Sequence, residues 1–465
     1  MAVSKILSTA LTNPVLRQAI LSSAQKYIRY NFSRSRLHTR QIRMAQYQAI
    51  FNLLLAIDRG FRERLISPPV RDRLLKNLVG RVIYRNRNVL KAFENEFHTG
   101  PPGFMVISPE GRCNLHCAGC YAASSADISA HLSFAVVDRV LSEKEKLWDS
   151  YFTVISGGEP LLWQDGGKTV LDLFERHIDN YFLMFTNGTL INRTVAEKLS
   201  RLGNVTPAIS VEGFEPETDR RRGKGIFAKV LLAMAYLRDA GVPFGISVTA
   251  TRENAELVVS EEFVDFFFNQ EKALYGWLFQ YMPIGRAPTL KLMVTPEQRK
   301  MLLERELELV FQHKLFFMDF WNGGIFSSGC IAGGRSGGYL YLDWNGNITP
   351  CVFIPYAVAN INEIYRRGGS INEVLNSKLF KKIRAFQYDY GYTRTGKVGN
   401  WFAPCFIRDH HQLAHQTLKE TDALPIDNGA KAALTDLNYY QGLCEYNVRF
   451  RELTDKFWQQ EFLRD

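Results

Sequence analysis

The chain of 465 residues has no long uninterrupted apolar run, few cysteines, and no acidic residue before Asp58. Its longest apolar stretch, Ile50 to Ile57, contains Asn52 and falls far short of the roughly 18 residues that a membrane-spanning helix needs. Thr, Asn, Pro and Arg interrupt the first apolar stretches, which argues against a secretory signal. Seven cysteines are too few for a disulfide framework in a chain of this length. We therefore expect a globular protein of about two or three domains in a reducing, cytoplasmic compartment.

The scarcity of acid makes the start of the chain strongly basic. Residues 1–100 hold 18 Lys/Arg and 5 Asp/Glu, a balance of +13, whereas the other 365 residues hold 39 and 42, a balance of −3. Apolar residues at helical spacing, beginning with Ile6 to Leu11, predict amphipathic helices here. Three interpretations stay open: a packed helical extension with a solvated basic face, a segment resting on anionic lipid headgroups, or a transit peptide. Nucleic-acid binding is not needed to explain this charge, because the basic residues lie on a separate helical segment.

From residue 101 onward, short strands alternate with helices. Six such units predict a parallel sheet, because each helix must carry the chain back over a face of the sheet. We expect an α/β fold with a partial (β/α)6 TIM-like barrel at 101–315 and a small α+β domain at 316–465, which contains a hairpin turning at Asn345-Gly346. The predicted strands are 104–108, 151–155, 181–186, 206–211, 244–251 and 275–282, and the predicted helices are 133–148, 168–177, 193–202, 227–240, 260–270 and 296–313.

Three cysteines crowd into the loop after the first predicted strand: Cys113, Cys117 and Cys120. In a β/α barrel this loop lies on the carboxyl face, where active sites assemble. Three neighbouring thiolates can bind three irons of a cubic cluster and leave the fourth iron open to another ligand. A zinc site completed by His116 or a distant residue, or three inert buried cysteines, are the alternatives.

A second loop, Ser156-Gly-Gly-Glu-Pro160, follows the second predicted strand. Gly157 and Gly158 would let a ligand approach the backbone, and Glu159 would accept a hydrogen bond from an ammonium group. Alone, such a segment is no more than a tight turn. Its place on the same face as the cysteines, one strand along, favours a shared site.

Together the two loops resemble the radical S-adenosylmethionine (SAM) superfamily, in which a three-cysteine loop of this spacing and a Gly-Gly-Glu-Pro loop follow successive strands. The resemblance continues through Thr186–Gly188, Ile209–Gly213, Arg222–Gly223 and Pro283–Arg286, and so covers roughly residues 103–290. It implies an enzyme in which a 4Fe–4S cluster reductively cleaves SAM. The resulting 5′-deoxyadenosyl radical would abstract hydrogen from an unactivated carbon of the substrate.

The resemblance also implies roles for individual residues. Cys113, Cys117 and Cys120 would hold the cluster and act in catalysis, and Gly157, Gly158 and Glu159 would bind the amino group of SAM. Ser210 and Glu212 would lie near the ribose, and an arginine among 220–222 would reach the carboxylate. The residue before the third cysteine is often aromatic in this superfamily, but here it is Gly119, and Tyr121 is the candidate to replace it.

The C-terminal part resembles the SPASM extension that follows many radical SAM barrels, because Cys330, a Gly-turned hairpin and Pro350-Cys351 occur in order. The usual closing run of cysteines is missing. One auxiliary iron–sulfur cluster on Cys330, Cys351, Cys405 and a fourth ligand is expected. The fourth ligand would be Cys444, His410 or His411, or substrate. The alternative is a relic domain that only covers the barrel mouth.

The substrate is not encoded in any motif. A peptide or protein side chain is one candidate, and a lipid-like amphiphile is the other, reached through peripheral membrane contact of residues 1–95. SAM and an electron-donor protein complete the expected partners, and no nucleic acid is expected. The alternative from another class is a non-catalytic zinc or iron–sulfur scaffold that binds a protein partner or a membrane.

Overall fold

The computed structural model describes residues 13–35, 37–83, 85–393 and 398–463, and the predicted apolar face at Ile6 to Leu11 lies outside them. The basic start of the chain is helical, as its periodicity predicts, and Pro68 opens the third helix because a proline suits a first turn. Asn52 is fully buried and donates from Nδ2 to the carbonyls of Val310 and Leu315, both at 2.9 Å. The second helix is thereby fixed to the barrel. Within the described residues, the α-helices of this basic start are α1 (Pro14–Arg34), α2 (Arg40–Arg62), α3 (Pro68–Leu74) and α4 (Arg87–Phe97), and a π-helix, Leu75–Ile83, directly follows α3.

Seven parallel strands form the barrel wall, which confirms the predicted partial barrel. The pattern missed the seventh strand because it has only three residues. The strands are β1 (Phe104–Ile107), β2 (Phe152–Ile155), β3 (Tyr181–Thr186), β4 (Val205–Val211), β5 (Gly245–Ala250), β6 (Tyr275–Gln280) and β7 (Phe317–Asp319). The α-helices that accompany them are α5 (Phe134–Trp148), α6 (Val170–Arg176), α7 (Arg193–Leu202), α8 (Glu215–Arg222), α9 (Ile226–Asp239), α10 (Glu261–Val264) and α11 (Pro296–Phe311).

The predicted hairpin forms β8 (Tyr339–Leu342) and β9 (Asn347–Thr349), and it belongs to the barrel sheet. β8 pairs in parallel with β1, from Phe104 opposite Tyr339 to Ile107 opposite Leu342. With β10 (Ala359–Asn360), the sheet runs β10-β9-β8-β1-β2-β3-β4-β5-β6-β7. The C-terminal α-helices are α12 (Gly324–Ser327), α13 (Ile361–Arg366), α14 (Lys378–Asp389), α15 (Phe406–Asp409), α16 (His411–Glu420), α17 (Asn428–Ala433) and α18 (Leu437–Glu461).

The two faces of each strand belong to different cores, because successive side chains point to opposite sides. Along β1, Met105 and Ile107 pack against the surrounding helices, whereas Phe104 and Val106 point into the barrel. The inward side chains and the loops above them enclose one cavity. Within the described residues, no helix combines the length and apolar content that crossing a bilayer requires.

Candidate active site

Cys113, Cys117 and Cys120 lie in the loop after β1, and all three line the cavity inside the barrel. Arg286, which follows β6, holds this loop. Its backbone N–H donates to the Cys120 carbonyl and its Nη1 to the Cys117 carbonyl, both at 2.9 Å. The resemblance covered Arg286 as part of a motif but predicted no role for it. The contacts show that it shapes the cysteine loop.

The three thiols suit a cluster better than a single ion. Burial, followed by smaller effects that include nearby Glu159, Cys117 and Cys120, raises the pKa of the Cys113 thiol to about 11. Thiolates that bind one zinc ion lie roughly 3.8 Å apart, because each Zn–S bond is about 2.3 Å long. In a cubic cluster each thiolate binds a different iron, so the sulfur atoms lie farther apart. The three sulfur atoms are not all within 4.8 Å of one another. In the described part of the chain, only exposed or half-exposed Glu261, Glu308 and His313 bring three ligand atoms that close.

The Gly-Gly-Glu segment is docked on the stretch that leads into Cys113. Gly158 donates its N–H to the Glu110 carbonyl at 2.8 Å, and Glu159 donates its N–H to the Arg112 carbonyl at 2.9 Å. Gly157 has φ +124°, and a Cβ there would lie 2.6 Å from the Glu110 carbonyl oxygen, so both its conformation and the close approach require glycine. The two predicted loops therefore share one rim, and Gly157 and Gly158 both line the cavity.

Glu159 itself is fully buried and lies outside the cavity lining. Its carboxylate accepts hydrogen bonds from Thr186 Oγ1 and the Asn187 N–H, both at 2.8 Å, and burial raises its pKa. Asn187 in turn lines the cavity and places its Nδ2 3.8 Å from Cys113 Sγ. The carboxylate thus ties the end of β3 to the cysteine loop.

Ser210 lines the cavity near the end of β4, but the carboxylate of Glu212 is turned into the protein. It accepts from Arg221 Nη1 and Arg222 Nη2 at 2.5 Å each. Both arginines line the cavity, and the pKa of half-buried Arg222 is raised by Glu212 against the opposing effect of desolvation. Arg220 instead lies on the surface beside Glu217. Two guanidinium groups and one carboxylate leave one net positive charge at the rim.

Tyr121 lines the cavity, and its hydroxyl lies 2.7 Å from Ser156 Oγ while its ring faces Phe353. The space beside Gly119 is taken by another aromatic ring. A Cβ on Gly119 would lie 2.7 Å from Cε2 of Tyr281, a cavity-lining residue directly after β6. Sequence spacing gave no signal for Tyr281, because it is 162 residues away in the chain from Gly119 (281 − 119).

Three C-terminal cysteines come together behind the cavity. Cys351 Sγ lies 2.8 Å from the hydroxyl of Tyr339, and burial, with a smaller effect of neighbouring Cys330, raises the pKa of Cys351 to about 12. The pKa of Cys405 is also raised, first by burial and then by Asp409, Cys330 and Cys351. Cys330 therefore lies close enough to the other two thiols for its charge to raise their pKa values.

Of the candidates for a fourth ligand, His410 and Cys444 have other partners, and His411 has one at a single ring nitrogen. His410 places Nε2 3.2 Å from the Ala403 carbonyl, and His411 places Nδ1 2.8 Å from the Ile407 carbonyl. Cys444, on α18, lies beside Tyr440; burial raises the pKa of Cys444, and its hydrogen bond with Tyr440 opposes that shift. In the described residues, the Nε2 atom of His411 is buried without a hydrogen-bond partner.

Comparison with known proteins supports the resemblance to the radical SAM superfamily. Residues 107–260 match the profile of the Radical SAM superfamily. The chain is 26% identical over 321 residues to an AdoMet-dependent heme synthase of Methanosarcina barkeri, an overlap of 62% of this chain and 86% of that protein. It is 27% identical over 305 residues to the sporulation killing factor maturation protein SkfB of Bacillus subtilis, which covers 62% of this chain and 71% of that protein. The crystal structure of Streptococcus suis SuiB bound to S-adenosylmethionine shares the fold, with a TM-score of 0.52, 16% identity and coverage of 74% of this chain and 84% of that chain.

The matched segment contains both loops of the rim, whereas the C-terminal part lies beyond it, so its likeness to a SPASM extension stays a prediction. A non-catalytic scaffold receives no support, because the relatives are enzymes. Residues 107–260, in which the cysteine loop is docked on the Gly-Gly-Glu segment, therefore form a domain of the Radical SAM superfamily, a family of enzymes whose cofactors are a 4Fe–4S cluster and SAM.

Proposed function

We propose that Cys113, Cys117 and Cys120 hold the 4Fe–4S cluster and that Gly157 and Gly158 offer backbone groups to SAM beside its open iron. When bound, these cofactors supply a 5′-deoxyadenosyl radical that removes a hydrogen atom from a substrate carbon. The observation that carries the proposal is the pair of backbone hydrogen bonds, at 2.8 and 2.9 Å, that joins the Gly-Gly-Glu segment to the stretch before Cys113. These two hydrogen bonds hold the cysteine loop and the Gly-Gly-Glu segment at a fixed distance from each other.

Other residues at the rim position these groups. Glu159 holds Thr186 and Asn187 against the cysteine loop, so it acts as a positioning residue. Glu212 orients Arg221 and Arg222, whose excess positive charge suits the carboxylate of SAM. The Ser210 hydroxyl faces the cavity, where a ribose hydroxyl would find a hydrogen-bond partner. The proposal therefore assigns some of the predicted residues to direct contact with SAM and others to positioning those contact residues.

The test is anaerobic reconstitution of the full chain, with iron content and 5′-deoxyadenosine as readouts. We expect about four irons per chain at this site and 5′-deoxyadenosine on reduction. Cys117→Ala should lose the four irons of this site and the product, whereas Lys431→Ala, at the surface of α17, should keep both. Zinc in place of iron, or equal product from Cys117→Ala, would contradict the assignment.

A second part of the proposal is one auxiliary iron–sulfur cluster on Cys330, Cys351 and Cys405. All three side chains pack in the same hydrophobic cluster, and Cys330 contributes to the raised pKa values of both Cys351 and Cys405, a repulsion that a bound metal would relieve. Cys351→Ala should then lower the iron content from about eight to about four per chain and remove one electron paramagnetic resonance signal. Equal iron in this variant and the wild type would contradict the second cluster.

The substrate proposal has two arms. The names of the relatives, a heme synthase and a maturation protein for a sporulation killing factor, support a substrate of peptide or tetrapyrrole type. A lipid-like amphiphile is the other candidate. A separate electron-donor protein is part of either arm, because reductive cleavage consumes one electron.

Peripheral membrane contact through the N-terminal helices would bring an amphiphile to the barrel. α1 has no acidic residue, and several of its large apolar side chains are exposed to solvent. A helix with apolar and basic side chains at its surface binds anionic headgroups by both forces. These exposed side chains are Val15, Leu16, Tyr27 and Tyr30.

Cosedimentation with vesicles of phosphatidylserine and phosphatidylcholine tests this contact. Deleting the segment would disturb the barrel, because α2 is packed on it, so charge reversal is the better change. Lys26→Glu with Arg29→Glu, both exposed on α1, should weaken binding, whereas Lys229→Glu with Lys431→Glu, exposed elsewhere, should not. Equal binding of both double variants would remove the membrane argument.

A further inference from the structure

The cavity extends well below the cysteines along the inside of the barrel. Phe104 and Phe152 line it, and they are the first residues of β1 and β2, so the cavity reaches the amino ends of these strands. Val106 and Val154, the next inward-facing residues along β1 and β2, also line it. We call this lower part the lumen, which is the stretch lined by Phe104, Val106, Phe152, Val154, Leu183 and Phe185. In ordinary TIM barrels, layers of side chains fill this space.

The lumen has few polar groups to offer a ligand: beside its aromatic wall these are the hydroxyls of Ser247 and Thr249 and the indole N–H of Trp277, which has no hydrogen-bond partner among the described residues. On the opposite wall, the rings of Trp277, Phe279 and Phe320 continue the apolar surface. Among the described residues that line the cavity, only Arg221 and Arg222 carry a charged basic or acidic side chain, and both are paired with Glu212 at the rim.

The amide of Gln280 also lines the cavity, but its polar atoms are occupied. Nε2 donates to Asp319 Oδ2 at 2.6 Å, and Oε1 accepts from Arg408 Nη1 at 3.0 Å. Asp319 and Arg408, the latter on α15, are themselves buried. Gln280 therefore lies between the cavity and these two buried charges, and its amide has little hydrogen-bonding capacity left for a ligand.

This chemistry separates the candidate substrates. Each peptide residue brings an N–H and a C=O, and burying them without partners costs free energy. A tetrapyrrole with carboxylate side chains needs cations, which the lumen lacks below Arg221 and Arg222. A hydrocarbon chain needs only apolar contact, which aromatic and aliphatic walls supply.

We propose that the lumen binds the hydrocarbon chain of an amphiphilic substrate, with its polar end at the rim and its chain directed toward Phe104 and Phe152. The inference rests on the proposed function, because the cysteine loop and the Gly-Gly-Glu segment at the rim would place the reactive carbon at the upper end of the chain. The lumen then keeps that carbon away from water and fixes its distance from the rim.

Displacement of cis-parinaric acid from the reconstituted holoenzyme by straight-chain alcohols, from octanol to octadecanol, tests the inference. Each methylene that enters the lumen should tighten binding about fourfold, until the chain reaches its end. Val154→Trp should shorten the longest chain that still gains affinity, and Phe104→Ala should lengthen it. Leu232→Trp, on the exposed side of α9, is the matched control and should leave the series unchanged.

The outcomes separate this inference from the proposed function, because alcohol binding needs no turnover. Length-dependent binding that shifts in the two lumen variants supports the inference even if no 5′-deoxyadenosine forms, a result that would sink the proposed function alone. Formation of 5′-deoxyadenosine without length-dependent binding would overturn the inference and leave the proposed function intact. Displacement of the probe by coproporphyrin but not by the alcohols would likewise overturn it.

Discussion

Gly158 is the position at which one methyl group tests the docking of the Gly-Gly-Glu segment most directly. A Cβ there would lie 2.1 Å from the Arg112 carbonyl oxygen and 2.7 Å from the Gly111 carbonyl oxygen. Both atoms are backbone, so no side-chain rotation relieves the contact in Gly158→Ala. The segment would have to move away from the stretch before Cys113, and the two backbone hydrogen bonds that it makes there would be lost.

Two hydrogen bonds at about 0.5–1.5 kcal/mol each amount to about 1–3 kcal/mol. If that energy fixes the SAM-binding arrangement, the affinity for SAM falls roughly 5- to 150-fold. Calorimetric titration of anaerobic holoenzyme, at matched iron content, measures this. Gly80→Ala is the control, because its nearest non-local atom is the Leu75 carbonyl oxygen at 3.9 Å, an ordinary contact. Wild-type SAM affinity and wild-type 5′-deoxyadenosine yield in Gly158→Ala would refute the reasoning.

Three further predictions concern the buried ion pair and the cysteine loop. Arg299→Met should destabilise the fold by about 3–6 kcal/mol in chemical denaturation, because it removes two charge-assisted hydrogen bonds to the buried carboxylate of Asp409 and leaves it only Arg408 as a cationic partner, whereas Arg449→Met at the surface should change little; equal effects would contradict this. The pKa of Asp409 is lowered to about 2, so the stabilisation from its ionised form is complete above about pH 4 and lost as pH falls toward 2; a stability profile flat across that window would disagree. Gly119→Ala should lower the melting temperature through its φ of +62° and its contact with Tyr281, and adding Tyr281→Ala should cost less than the sum of the single changes. Strict additivity would show that the two residues do not compete for space.

The sequence predicts the barrel well because each unit carries a strong local signal. Alternation and helical spacing identify six strands and their helices within a few residues. The seventh strand, Phe317–Asp319, is too short for periodicity to show. The sequence also predicts one helix at 371–386, but the structure divides it into a 3-10 helix, Ile371–Asn376, and α14, because Ser377 caps α14 with its Oγ accepting from the Phe380 N–H at 3.4 Å. Local propensity does not reveal that interruption.

The site was predicted at the level of loops, but not at the level of side-chain direction. The resemblance implies that Glu159 and Glu212 lie beside SAM, yet both carboxylates turn into the protein, where Glu159 accepts from Asn187 and Glu212 pairs with two arginines. A one-dimensional pattern cannot say which hydrogen-bond donors surround a carboxylate. The same limit applies to Tyr281, which reaches Gly119 only because β6 brings the two segments together.

The pairing of β8 with β1 makes the C-terminal part a component of the barrel. It places Tyr339 level with Phe104 at the amino end of the lumen, where the two rings stack with centroids 5.2 Å apart. Phe353 and Val352, from the same part of the chain, also line the cavity. A boundary at residue 316 therefore cuts through the sheet, and removing the C-terminal part there would leave β1 as an unpaired edge and the lumen without one wall.

The hydroxyl of Tyr339 lies 2.8 Å from Cys351 Sγ, while its ring forms part of the lumen wall. A cluster bound at Cys351 and a chain bound in the lumen would therefore contact the same side chain from two sides. If the three C-terminal cysteines hold no metal, Tyr339 still closes the lumen between Phe104 and the hairpin. The C-terminal part is thus needed to build the lumen, whichever role its cysteines have.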